Sequence, residues 1–146
     1  MIDLTAEQLM GLSEQGHWPA CVVLGDRSCG NQVWQYAKNH YKEAMKIAEL
    51  AHDHGYFSVD GETIAEIKNK IDVIIAIIDG DVFYCEQDWL RAKGHYGYAL
   101  AKAESASILR YDPADKRTIE IIKSKIDEVT AIINDVEEDA SKKKKR

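Results

Sequence analysis

The chain contains an internal repeat in which position i corresponds to position i + 55. Residues 34–51 read WQYAKNHYKEAMKIAELA, and residues 89–106 read WLRAKGHYGYALAKAESA. Without any gap, 21 of the 45 positions from 34 to 78 are identical to their counterparts one period further on. A repeat strongly limits the possible folds, because each copy must form the same unit and the copies must bury their apolar faces on one another.

Each copy contains two stretches with the apolar spacing of an amphipathic helix. The first stretch has aromatic residues and alanines in steps of three and four, at Trp34, Ala37, Tyr41, Ala44, Ala48 and Ala51. The second has isoleucines in the same steps, at Ile64, Ile67, Ile71, Ile74 and Ile78. This spacing places side chains on one face of an α-helix. Three residues between the stretches mark the limits of the helices. Gly55 indicates a helix end, Asp60 indicates a cap, and Pro113 indicates a new helix.

We therefore predict an all-α fold with a single domain over residues 1–140. A duplicated antiparallel helical hairpin occupies 31–80 and 86–137, after a pair of short helices within 1–30. A strand at positions 20–24 is the alternative for part of that N-terminal region. Two hairpins bury their apolar faces either as a four-helix bundle or as a short solenoid, and the sequence leaves both open.

The composition predicts a soluble, cytoplasmic protein. Cys21, Cys29 and Cys85 are an odd number with no C-x-x-C pair, which favours reduced thiols over a disulfide framework. The N-terminal MIDLTAEQL lacks the basic start of a signal peptide. The longest apolar run, residues 73–78, is much shorter than the ~20 residues of a membrane span.

The charge is unevenly distributed. The net charge is −6, and the last five residues, 142–146, contribute +5, so the rest of the chain carries −6 − 5 = −11. An acidic body disfavours binding to a phosphate backbone and favours a basic partner. We therefore expect no direct nucleic-acid binding and no membrane binding. The basic tail, 141–146, is interpreted as a solvated chain end, with a contact to an acidic surface as the alternative.

The first stretch of each copy resembles the first helix of tetratricopeptide repeats, whose pattern is W-x2-L-G-x2-Y. Trp34 and Tyr41 have this spacing in copy one, as do Trp89 and Tyr96 in copy two. Lys38 and Lys93 stand at the glycine position of the pattern, and the period of 55 is longer than the family's ~34. The resemblance implies a TPR-like helical scaffold that binds another protein or peptide with its first helices.

The resemblance makes the first stretches the candidate binding face. Aromatic residues at helical spacing belong either to the core or to a partner surface, where large aromatic rings contribute most of the binding energy. We predict a protein-binding face formed by Trp34, Lys38, His40, Tyr41, Trp89, Lys93, His95 and Tyr96. The predicted partner is another protein or peptide, and the acidic body favours a basic one. A homodimer is compatible with the same pattern.

The leading prediction is thus a non-enzymatic protein-binding adaptor or scaffold without a cofactor. The chain has no phosphate-binding loop, dinucleotide fingerprint or H-E-x-x-H motif. The first alternative is a small acidic inhibitor or regulator that blocks a basic surface of another protein, for example a nucleic-acid-binding one. The second alternative is a helical enzyme or metal site that uses His40 and His95.

Overall fold

Five α-helices make up the part of the chain that the structure describes. The computed structural model describes Thr5 and residues 17–53, 61–107 and 113–144. The helices are α1 (Trp18–Gly30), α2 (Trp34–Asp53), α3 (Gly61–Cys85), α4 (Trp89–Ser107) and α5 (Pro113–Lys144). No strand occurs in these segments, and the all-α prediction is confirmed. The first of the two short helices predicted within 1–30, which the sequence places at 6–12, lies outside the described residues, as does the cap predicted at Asp60.

The stretch at 20–24, for which a strand was the alternative, is part of the helix α1. His17 caps α1, because its Nδ1 accepts a hydrogen bond of 3.2 Å from the backbone N–H of Ala20. Pro19 stands in the first turn, where its missing N–H costs no helical hydrogen bond. The cap and the proline therefore start a helix at the point where the apolar run begins.

Two three-residue turns, 31–33 and 86–88, reverse the chain in the same way. Gln32 and Gln87 have the left-handed φ values 59° and 62°. The N–H of Val33 donates to Ser28 O at 2.9 Å, and the N–H of Asp88 donates to Phe83 O at 2.9 Å. These bonds have the pattern of a Schellman motif, which satisfies the last carbonyl groups of a helix. The turns pack α1 against α2 and α3 against α4.

The helices pack as one bundle. Each helix contacts the next along the chain, and α5 also contacts α1. The predicted hairpins pair α2 with α3 and α4 with α5, whereas the tight turns join α1 to α2 and α3 to α4. The helix α1, predicted as part of a separate N-terminal pair, is therefore a full member of a five-helix arrangement in the described part of the chain.

A single apolar core runs through all five helices. Alanines of α2 and α4 and isoleucines of α3 and α5 contribute to this core. The residues buried in the core include Cys21, Ala37, Ala44, Ala48, Ile67, Ile71, Ile74, Ile77, Ala92, Ala99, Ile122 and Val129. None of the described helices has both the length and the apolarity required to cross a bilayer.

Two predicted boundaries differ from the observed ones. The predicted first hairpin ends at 80, but α3 continues to Cys85. The predicted basic tail begins at 141, but α5 continues to Lys144. No glycine or proline interrupts either extension after 80, and Lys142 Nζ lies 3.8 Å from Glu138 Oε1 one turn earlier. Lysines at a helix C-terminus also complement the helix dipole.

Candidate functional site

A buried polar cluster connects the first three helices. Tyr41 Oη of α2 donates a hydrogen bond of 2.5 Å to Asp26 Oδ1 of α1. Lys70 Nζ of α3 lies 3.1 Å from the same carboxylate oxygen and 5.6 Å from the centre of the Tyr41 ring. Cys29 Sγ is 3.4 Å from Tyr41 Oη. We call Asp26, Tyr41 and Lys70 the first Asp–Tyr–Lys cluster.

The same arrangement occurs one period later in the chain. Tyr96 Oη of α4 donates a hydrogen bond to Asp81 Oδ1 of α3. Lys125 Nζ of α5 lies 3.0 Å from Asp81 Oδ1 and 5.6 Å from the centre of the Tyr96 ring. This is the second Asp–Tyr–Lys cluster. Because α3 provides Lys70 to the first cluster and Asp81 to the second, one helix connects the two.

Each cluster links neighbouring helices through a hydrogen bond and an ion pair. Burial, reinforced by the Asp26 carboxylate, raises the pKa of Tyr41 far above its usual value. Burial and the hydrogen bond to Asp81 likewise raise the pKa of Tyr96. Both phenols therefore stay protonated at neutral pH and act as hydrogen-bond donors.

A groove lies between α3 and α4 on the outside of the bundle. It encloses about 610 Å³ and is lined by Asp72, Ile75, Ala76, Asp79, Arg91, Gly94, His95 and Tyr98. The small residues Ala76 and Gly94 leave space between the two helices. The side chains of Ile75 and Tyr98 are 37% and 52% exposed. We call this feature the α3–α4 groove.

One edge of the α3–α4 groove is positively charged and held by aromatic contacts. His95 stacks on Phe83 with a centroid separation of 5.1 Å and an interplanar angle of 15°. The guanidinium carbon of Arg91 lies 5.7 Å from the centre of the Phe83 ring. Arg91 Nε is also 3.5 Å from Asp88 Oδ2. These neighbours hold Arg91 and His95 at the groove.

The other edge is acidic. Asp72 and Asp79 lie on α3 about two turns apart, which places them on one face. Asp72 Oδ2 is 3.9 Å from Lys102 Nζ, whereas Asp79 is exposed. The groove therefore offers carboxylates beside the exposed apolar side chains of Ile75 and Tyr98.

Three residues of the predicted binding face lie in the core. Trp34, Tyr41 and Tyr96 are only 7%, 2% and 1% exposed. The prediction that these rings form a partner surface is corrected, because neighbouring helices cover them and Asp26 and Asp81 engage the two phenols. The apolar spacing of the first stretches therefore marks the interior.

The other five predicted residues are half-buried and do not form one surface. Trp89 contacts Tyr84 edge to face with centroids 5.2 Å apart. Lys38 and His40 lie on α2, and burial lowers the pKa of His40. Lys93 and His95 lie on α4, but of the eight predicted residues His95 is the one that lines the α3–α4 groove.

The predicted histidine metal site gains no support from side-chain grouping. The described residues contain no group of three or more His, Cys, Asp or Glu side chains that could hold a metal ion. Cys21 and Cys29 are buried, Cys85 is exposed, and the three are not joined by disulfides.

The sequence interpretation missed both clusters and the groove. A signal for the clusters exists, because the repeat continues upstream of Trp34. Gly25, Asp26 and Gln32 match their counterparts one period later, which are Gly80, Asp81 and Gln87. No comparable signal marks the groove, because Asp79, Arg91 and Tyr98 have no identical counterpart in the other copy.

No protein-family model, no curated protein and no solved structure matches this chain. Its function must therefore be inferred from its own residues.

Proposed function

We propose that this protein is a non-enzymatic adaptor or scaffold that binds a basic peptide segment of another protein in the α3–α4 groove. The observation that carries the proposal is the combination of exposed Ile75 and Tyr98 with the adjacent carboxylates of Asp72 and Asp79. An apolar centre with a charged rim is the usual composition of a protein-binding surface.

The apolar part of the groove supplies the anchor. Tyrosine is enriched among the residues that dominate interface energies, and a large side chain in a pocket excludes water from its neighbours. The space between Ile75 and Tyr98, above the small Ala76 and Gly94, accommodates an apolar side chain of a partner. An apolar residue is therefore expected in the bound segment.

The charged part of the groove selects the sign of the partner's charge. Two carboxylates and one guanidinium line it. Arg91 is paired with Asp88 and Asp72 with Lys102, so the exposed Asp79 supplies the charge for a partner. The body of the chain carries −11. A lysine or arginine of the partner next to Asp79 gains from both local and long-range attraction.

The proposed architecture behind this function is a duplicated helical hairpin of the TPR-like type. The equal spacing of the two Asp–Tyr–Lys clusters and of the turns at Gln32 and Gln87 supports it. In this proposal the two copies share a scaffold and differ in surface. Tyr98 of the groove corresponds to Glu43 in the first copy, and Arg91 corresponds to Tyr36.

Selection from a random peptide display library, followed by affinity measurement, tests the proposal. We expect the selected peptides to combine lysine or arginine with a large apolar residue. Tyr98→Ala should weaken their binding by about tenfold or more, as for a central interface residue. Glu43→Ala changes the equivalent exposed position of the first copy and should leave the affinity unchanged.

Two outcomes contradict the proposal. One is selection of peptides that lack basic residues. The other is equal binding to the parent protein and to the Tyr98→Ala variant, because such peptides would occupy a different surface.

A second candidate function is an acidic blocker of another protein's basic surface, and the charge of −11 on the body favours it. A contact made mainly by exposed charges weakens steeply with salt, because the Debye length falls from ~10 Å at 0.1 M to ~3 Å at 1 M. Affinity measured at both concentrations distinguishes the two functions. Binding in the groove should largely survive at high salt, whereas blocking by charge should be lost.

A further inference from the structure

A second space lies between the helices of the bundle and is partly open to solvent, and among the described residues it shares none of its lining with the α3–α4 groove. It has a volume of about 220 Å³, and residues of all five helices line it. We propose that this cavity binds a small, neutral molecule of about the size of a fused ring pair, with one hydrogen-bonding group. The partner surface proposed above is independent of this site.

The volume sets the size of the ligand. Protein interiors contain few voids larger than a water molecule, because unfilled space costs stability. An apolar cavity of ~150 Å³ is large enough to bind benzene, and drug-sized ligands occupy ~300 Å³ or more. A space of about 220 Å³ therefore fits a ligand between these two sizes.

The apolar wall determines most of the ligand's character. Trp18 and Val22 of α1, Ile67 and Ile74 of α3, and Ala103 of α4 form this wall. Ile67, Ile74 and Ala103 are buried, and Trp18 and Val22 are half-buried. An indole ring beside aliphatic side chains favours a flat, apolar ligand, since aromatic pairs contribute energy beyond their buried area.

Among the described residues, Glu66 and Lys70 are the charged ones that line the cavity, and each already has an interaction partner, which indicates a neutral ligand. Lys70 is already paired with Asp26 at 3.1 Å, and the amide nitrogen of Asn69 donates to Lys102 O at 3.1 Å. In the described part of the chain, no buried side-chain nitrogen or oxygen lacks a hydrogen-bond partner. A charged ligand would lose its hydration without gaining an uncompensated opposite charge, which is costly.

Two threonines provide the polar feature of the site. Thr63 of α3 and Thr118 of α5 are equivalent positions of the two copies, and both line the cavity. A hydroxyl group donates one hydrogen bond and accepts two, so it can serve a ligand's N–H or O–H beside its structural partner. This favours a ligand with a single polar group, such as an indole.

The residue at position 29 helps to keep the space open. Cys29 lines the cavity, and its counterpart in the second copy is Tyr84, which is far larger. Tyr84 packs against Trp89 and donates to Glu128 at 2.7 Å. The first copy thus has a small side chain where the second copy has an aromatic ring.

An NMR titration of the full chain with indole tests the proposal. The protein has three tryptophans, and comparison with Trp18→Phe identifies the indole N–H signal of Trp18. We expect indole to shift the Trp18 signal more than the other two. Indole-3-acetate and tryptamine, which carry a charge on the same ring system, should bind at least about tenfold more weakly.

Cavity-filling variants locate the binding. Ala103→Leu places extra volume inside the cavity and should weaken indole binding by about tenfold or more. Ala101→Leu makes the same change at an exposed position of α4 and should leave binding unchanged. If Ala103→Leu fails to fold, Val22→Phe fills the cavity from the half-buried side of α1.

Each contrary result overturns the proposal. Absence of any indole-dependent shift up to the solubility limit would show that the cavity takes no such ligand. An unchanged affinity in the folded cavity-filling variant would place the binding elsewhere. Equal or tighter binding of either charged analogue would refute the inferred neutrality.

Discussion

Gly25 and Gly80 allow the two buried tyrosines to lie directly against a helix backbone. A Cβ atom at position 25 would lie 2.6 Å from Cδ1 of Tyr41, and one at position 80 would lie 2.6 Å from Cδ1 of Tyr96. Real Cβ atoms essentially never approach another atom that closely. Neither ring can move away easily, because its hydroxyl is bonded to an aspartate and its surroundings are packed.

We therefore predict that Gly25→Ala and Gly80→Ala each lower the free energy of unfolding by about 1–3 kcal/mol, as other overpacking substitutions do. Gly97→Ala is the matched control, because no atom lies within 4 Å of its added Cβ. It should stabilise α4 by about 0.5–1 kcal/mol through helix propensity. Urea unfolding measures all three. A neutral Gly25→Ala would mean that the Tyr41 ring does not lie where the structure places it.

The two Asp–Tyr–Lys clusters differ in the solvent exposure of their aspartates. The Asp26 side chain is 17% exposed, whereas that of Asp81 is 36% exposed. A hydrogen bond to a charged group contributes more when less water competes with it.

Tyr41→Phe should therefore destabilise the protein by about 1.5–3 kcal/mol, the usual value for a hydrogen bond to a charged group. Tyr96→Phe should cost less, because Asp81 regains more hydration when the phenol is removed. Both variants retain the ring and so leave packing almost unchanged. Chemical denaturation of the two variants side by side is the measurement, and a larger loss for Tyr96→Phe would contradict the argument.

The helix α5 combines a buried segment with a long exposed one. Ile122 and Val129 are fully buried, and Ile133 is partly buried against the core. From 134 to 142 every residue is exposed, including Val136. The packing of this element therefore ends well before the helix does.

We predict that a chain ending at 136 has a free energy of unfolding within about 0.5 kcal/mol of the full chain, as expected for changes at exposed positions. A chain ending at 127 should lose at least about 2 kcal/mol, because it lacks the buried Val129 and the packed Ile133. Thermal unfolding of the two chains provides the test. A large loss in the chain that ends at 136 would show that the exposed segment packs against another part of the protein.

The sequence predicted helices well because helix formation here depends on local spacing. The alanine stripe of α2 and the isoleucine stripe of α3 each identify one apolar face, and the structure buries both faces. The same stripe did not reveal what covers Trp34 and Tyr41. A periodic pattern identifies a face, but the neighbour of that face depends on turns such as 31–33.

The proposed binding surface was hard to predict for a related reason. The α3–α4 groove exists because the bundle leaves the outer face of two adjacent helices uncovered. Tyr98 and Asp79 belong to that face and show no periodicity that separates them from ordinary exposed residues. Only the packing order of the helices distinguishes a groove residue from a surface residue.

At the level of the whole molecule, we expect the two proposed hairpins to unfold together. Their buried residues belong to one hydrophobic cluster. The helix α3 contributes to both Asp–Tyr–Lys clusters, and α5 contacts α1 as well as α4. A Cβ atom added at Gly30 of α1 would lie 3.7 Å from Arg117 Nε of α5. These contacts predict one cooperative unit.

Ile122→Ala tests that prediction from the far end of the chain. The substitution removes a fully buried side chain of α5 and should cost about 2–5 kcal/mol. In a cooperative bundle, amide hydrogen exchange should then accelerate in α1 and α2 as much as in α4 and α5, because the slowest amides exchange through global unfolding. If acceleration is confined to α4 and α5, the hairpins open separately, as the units of an open solenoid with weak interfaces do. The contact between α1 and α5 favours the first result.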